Sequence, residues 1–203
     1  MWYNQMILGQ SSYEVILWFL IYSVMGWLVE SIYMSFCNRK VTNRGFTKGP
    51  CCPIYGCGAL AVYFTLLPFQ SNPVALFILG SILATTLELL TAVIMKRVFG
   101  TVWWDYSEKP FNFHGILCLE SSIAWGVYTV FLFTFLHGFV QRIVQIIPPW
   151  AGRIFGSLFM ILYMADFLNT IWKIRQRSSE NEEETCMIGE ERMDDEYNIS
   201  CRR

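Results

Sequence analysis

GPCCPIYGCGALAVYFTLLPFQSNPVALFILGSILATTL, residues 49–87, contains no Asp, Glu, Lys or Arg. It is long enough for two crossings of a hydrocarbon core of about 30 Å, joined by a short turn at Gln70-Ser71-Asn72-Pro73. The whole chain agrees. Its 203 residues are 54% hydrophobic and only 15% charged, below the charged share of about a quarter usual in soluble domains. Working outward, apolar runs that predict membrane spans lie at about 15–37, 54–70, 73–95, 115–137 and 152–174. Backbone groups in lipid need internal partners, and these runs are too long and too uniformly apolar for barrel strands. The expected fold is therefore all-α, a polytopic bundle of about five transmembrane helices within residues 1–177.

Charge sets the expected orientation. Arg39, Lys40, Arg44 and Lys48 fill the first connection, Lys96, Arg97 and Lys109 the third, and Lys173, Arg175 and Arg177 follow the fifth span. The opposite side holds only Arg142 and Arg153, which puts the N-terminus outside and the C-terminus in the cytoplasm. Met1 to Glu14 lacks the cationic region of a cleavable signal peptide, so the first span is expected to stay as a helix. Val140, Ile143, Val144 and Ile147 recur at helical spacing opposite Gln141, Arg142 and Gln145, which predicts a short helix in the outer interface anchored by Trp150. Residues 178–203 are rich in Ser, Asn and Glu and read as an acidic, disordered cytoplasmic tail. The seven cysteines fall in this tail or near the cytoplasmic span ends, as expected of free thiols in a reducing compartment.

Glu30, Glu88, Glu120 and Asp166 each fall inside an expected span, where an ionised side chain is expensive and marks a functional site by default. Each lies roughly five to eight residues from the cytoplasmic end, or about 7 to 12 Å deep. Facing inward, they would form one polar layer able to bind a cation, a proton or a cationic substrate. The plainer alternative is that they pair with basic residues at helix ends, or with Trp, Ser and Thr donors, and only brace the bundle. Glu30 precedes Arg39 by nine residues and Glu88 precedes Arg97 by nine, each followed by a structured loop and a returning helix. This suggests two parallel helix-loop-helix units of the kind transporters use. Asp105 is placed to cap a turn or to neutralise Arg44 or Arg97, and His114 to couple protons to Glu120. Trp103, Trp104 and Tyr106 read as interfacial belt residues.

The loops carry long motifs: Asn43-Arg44-Gly45-Phe46, Gly49-Pro50-x-Cys52-Pro53-Ile54-Tyr55-Gly56-x-Gly58, Trp103-Trp104-Asp105-Tyr106-Ser107-x-x-Pro110-Phe111-Asn112, and Ser122-x-x-Trp125-Gly126. Over roughly residues 15 to 140 these resemble the ABC-transporter type IV (CmpB-like) family of bacterial membrane proteins. The resemblance implies a permease component in the bacterial cytoplasmic membrane. With no Walker A motif anywhere, an ABC assignment requires a separate nucleotide-binding subunit, docked on the cytoplasmic loops, and homo-oligomerisation to widen a thin conduit. Two other classes stay open: a membrane-embedded enzyme acting on a lipid or lipid-linked substrate through its acids, and a structural or regulatory scaffold. No catalytic spacing such as His-Glu-x-x-His or Gly-x-Ser-x-Gly occurs. Neither a cofactor nor a nucleic-acid partner is indicated, and the cysteine spacing matches no zinc ribbon.

Overall fold

The computed structural model describes residues 5–41 and 49–200, with side chains described for all of these except 37, 38 and 177–200. Among the described residues, six helices carry the architecture: α1 (Ser12–Asn38), α2 (Pro53–Leu66), α3 (Pro73–Phe99), α4 (Leu119–Phe131), α5 (His137–Ile146) and α6 (Pro149–Ser200). Two minimal hairpins complete it, β1 (Met6–Ile7) with β2 (Gln10–Ser11), and β3 (Asn112–Phe113) with β4 (Leu117–Cys118).

The boundaries follow local chemistry. Pro53 and Pro73 each occupy a first-turn position, where a missing N–H costs nothing, and Asn72 caps α3 by accepting from the backbone N–H of Ala75 at 3.1 Å. Gly100, at φ 74°, closes α3, and Lys96 and Arg97 in its last turn complement the helix dipole. Among the described residues, four stretches are long and apolar enough to cross a membrane, Ser12–Phe36, Pro73–Phe99, Leu119–Ile146 and Pro149–Gln176, while Pro53–Phe69 is a shorter apolar helix that ends in a 3-10 turn. Only 6 to 33% of each long apolar window is buried within the chain, as expected of spans whose outer faces meet lipid or another protein surface. The protein is a helical, multi-pass membrane protein.

The sequence expectations for the fourth span need correction at both ends. Helix begins at Leu119 rather than 115, because Gly115 at φ 69° and the β3–β4 hairpin occupy the preceding apolar residues. Its far end runs through a π-helical segment, Leu132–Leu136, straight into α5. The expected interfacial helix is therefore the last part of this span. Val140 and Val144 are buried in the bundle core, not laid on lipid.

That core joins Val15, Trp18 and Tyr22 of α1 to Val62, Tyr63 and Leu66 of α2, Leu76 of α3, Leu132, and Val140 of α5. It occupies the half of the bundle that holds the start of α1 and the end of α3's partner span. Glu30 and Glu88 lie outside this core, toward the other ends of α1 and α3. The chain divides into two units, Met1–Asp166 and Phe167–Arg203. In the second, the α6 backbone continues to Ser200 through the segment that the sequence reads as a disordered tail.

Candidate functional site

Helices α1 with α2, and α3 with α4, pack as two hairpins, and both cross in the same way. Seven residues before Glu30 stands Ser23, and seven before Glu88 stands Ser81, so each Ser shares a helix face with its Glu two turns away. On the returning helices the counterparts are Tyr55-Gly56 and Trp125-Gly126. The missing side chain of Gly56 makes room for Ser23, and that of Gly126 for Ser81; a Cβ at either glycine would collide with the serine Oγ. Close approach at each crossing brings the aromatic residue before the glycine onto the carboxylate. Tyr55 Oη donates to Glu30 Oε2 at 2.8 Å, and Trp125 Nε1 donates to Glu88 Oε2 at 2.9 Å.

The third connection supplies the piece that joins the two. Tyr106 Oη donates to Glu88 Oε1 at 3.1 Å, and Ser121 Oγ reaches Glu88 Oε2 at 3.5 Å. Burial, and after it the Glu88 carboxylate, push the Tyr106 phenol up, with the Glu30 carboxylate adding to the same effect. Tyr106 thus stands within the field of both acids. The Tyr55 and Trp125 rings lie 6.5 Å apart, which brings the donor to Glu30 beside the donor to Glu88. Tyr106 is held in place by its loop, where its N–H donates to Gly115 O at 2.8 Å and Lys109 N–H donates back to Tyr106 O at 2.8 Å.

Glu88 is 8% exposed, and its three hydrogen-bond donors are all neutral. No Lys, Arg or His pairs with it among the described residues. A carboxylate removed from water is costly without a countercharge or a proton, and neutral donors offset only part of the several kcal/mol lost on desolvation.

The other expected site residues lie elsewhere. Glu120, taken from sequence as deep in a span, sits in the first turn of α4, exposed, with Oε2 2.9 Å from Lys109 Nζ. There it suits the helix dipole and pushes the Lys109 ammonium up. It bonds Lys109 rather than His114. Asp166 on α6 accepts from the backbone N–H of Gly49 at 2.9 Å and so ties down the loop that leads into α2. Asp105 accepts from the side chain and backbone N–H of Ser107, which cap a turn and hold its carboxyl below the ordinary range. It pairs with no Arg97 among the described residues. Arg39, at φ 50°, is the C-cap of α1, and Arg97 is exposed in the last turn of α3. Arg44 lies outside the described residues. His114 is exposed at φ 52° and meets the Phe113 ring edge-on.

Sequence reasoning missed Tyr55, Tyr106, Ser121 and Trp125 as carboxylate partners, although all but Ser121 fall within the quoted motifs. It also missed His137, which is 6% exposed, stacked on Tyr63 at 3.8 Å and bonded through Nδ1 to Tyr22 Oη at 2.8 Å. The available signal was the helical period of His137, Val140 and Val144, which continues α4.

No curated protein and no solved structure matches the chain. A family model does, over residues 17–171, which extends the recognisable region through α5 and into α6, beyond the limit near 140 that the motifs suggested. Its description is "Putative ABC-transporter type IV", and since it spans most of the 203 residues, the chain belongs to that family.

Proposed function

We propose that the chain is a permease component of the bacterial cytoplasmic membrane, with its N-terminus outside, in which Glu30 and Glu88 form one cation-binding site facing the cytoplasm. The observation that carries this reading is Glu88: a buried transmembrane carboxylate whose partners are all neutral, and whose donor Trp125 lies 6.5 Å, ring to ring, from Tyr55, the donor to Glu30. A cation or a proton entering beside Glu88 supplies the countercharge that its neutral donors do not. The matching Ser-x6-Glu and aromatic-Gly pairs of the two hairpins support a duplicated helical unit whose halves each contribute one acid, as in parallel-repeat transporters. Glu120, Asp166, Asp105 and Arg39 act in this reading as supports for loops and helix ends.

Energy from ATP requires a separate nucleotide-binding subunit. Its docking surface is the third connection, where Phe111 and Phe113 are exposed at the loop tip and the same loop carries Tyr106 to Glu88. A second copy of the chain would complete the conduit.

The test is cation flux in proteoliposomes, with a panel of alkali and organic ammonium ions. Glu88→Gln keeps an acceptor for Trp125 but removes the charge, and is expected to lower flux by on the order of tenfold or more. Glu120→Gln, outside the site, is expected to leave flux unchanged. A folded Glu88→Gln protein with undiminished flux would mean that the acid only braces the bundle.

A further inference from the structure

A second polar site lies in the loop that carries Tyr106, at the end of α3. A half-open pocket of about 190 Å3 is lined by Lys96, Thr101, Trp104, Asp105, His114 and Gly115. At roughly 30 Å3 per water molecule, that is space for about six waters. Its depth is set by Lys96 in the last turn of the span and by Phe99 and Trp103, whose stacked rings lie 6.1 Å apart. Aromatic and basic residues in this position stand at the level of lipid headgroups.

The charges within it are of both signs, on exposed side chains that do not pair with one another. Lys96 makes no ion pair or side-chain hydrogen bond among the described residues. Asp105 receives both of its hydrogen bonds, from the N–H and the hydroxyl of Ser107, on Oδ1, which leaves Oδ2 open. Lys96 and Asp105 line one cavity without pairing with each other. His114 offers a ring N–H in either protonation state, and its left-handed backbone, at φ 52°, is a conformation that non-glycine residues adopt at a cost. The cavity floor is equally particular. Gly115 is buried, and a Cβ there would press on Ser107 Oγ at 2.6 Å and on Asp105 Oδ1 at 2.9 Å.

A simple anion such as phosphate would meet the Asp105 carboxylate, and a simple cation would meet Lys96. A ligand with both charges satisfies both. We propose that this cavity binds a zwitterionic group made of a phosphate ester and a primary ammonium, with the phosphate on Lys96 and His114 and the ammonium on Asp105. At this depth its source is the headgroup of an amine-bearing phospholipid. A soluble phosphoethanolamine has the same chemistry.

Native mass spectrometry of the full chain in neutral detergent, with phosphatidylethanolamine, phosphatidylcholine and phosphatidylglycerol added at equal concentration, tests this. The wild-type chain is expected to retain phosphatidylethanolamine over the other two by on the order of tenfold, as for one charged hydrogen bond. Asp105→Asn keeps an acceptor for Ser107 and is expected to abolish the preference over phosphatidylglycerol. Lys96→Gln, an exposed position, is expected to lower retention of both. Equal retention of the three lipids by the wild-type chain, or an unchanged preference in Asp105→Asn, overturns the proposal. Addition of soluble phosphoethanolamine separates the sources: full displacement of the lipid at equal concentration supports a soluble ligand for the same site, and persistence of the lipid supports the membrane source.

Discussion

Glu88 shows how little of a buried acid's role can be read from its position alone. Sequence places it within a span, and the cost of charge in lipid marks it as important. What it does there depends on donors 18, 33 and 37 residues away, at Tyr106, Ser121 and Trp125. Glu120 illustrates the converse: hydropathy alone placed it deep, while a positive φ at Gly115, to which hydropathy is blind, starts the helix late and leaves the acid on the surface. Two outcomes follow at this scale. Trp125→Phe strips Glu88 of a donor and should lower stability by about 1 to 3 kcal/mol, measured by denaturant unfolding in detergent. Asp105 has a carboxyl held below its ordinary 3.8, so its contact with Ser107 contributes above that pH and is lost as the pH falls through the depressed value. The protection of the Ser107 amide against hydrogen exchange should therefore persist at neutral pH and disappear only in strong acid.

At the scale of elements, the spans were legible because their apolar runs are long and punctuated by Pro53, Pro73 and Gly100. The course of the fourth span was not. Gln141, Arg142 and Gln145 gave its end an amphipathic look, and only the packing of Val140 and Val144 into the core shows that the π segment carries the helix onward. The two hairpin crossings were half visible: the nine-residue spacing from Glu to Arg suggested a repeat, but the Ser-to-Gly contacts that give it physical meaning exist only in three dimensions. These contacts predict different behaviour for two similar substitutions. Gly126→Ala and Gly56→Ala should each destabilise by about 1 to 3 kcal/mol through overpacking. Ser81→Ala should recover part of the Gly126→Ala loss, because it removes the oxygen in the way. Ser23→Ala should recover little at Gly56, where the backbone oxygen of Phe19 also blocks, 2.6 Å from the added Cβ. Unfolding of the single and double variants reads both.

For the whole molecule, the core around Trp18, Tyr22, Tyr63 and Val140 is aromatic and aliphatic, while Glu30 and Glu88 with their donors lie outside it. Such a division suits a site open to one side of the membrane, with α1–α2 and α3–α4 each contributing an acid and an aromatic donor. The central claim is that Glu30 and Glu88 act as one unit. Its most direct test is a double-mutant cycle on cation flux in proteoliposomes with the wild type, Glu30→Gln, Glu88→Gln and the double variant. If the two acids share a site, each single change lowers flux by on the order of tenfold or more, and the double variant falls no further than the worse single. Losses that multiply, or four proteins with equal flux, would contradict it.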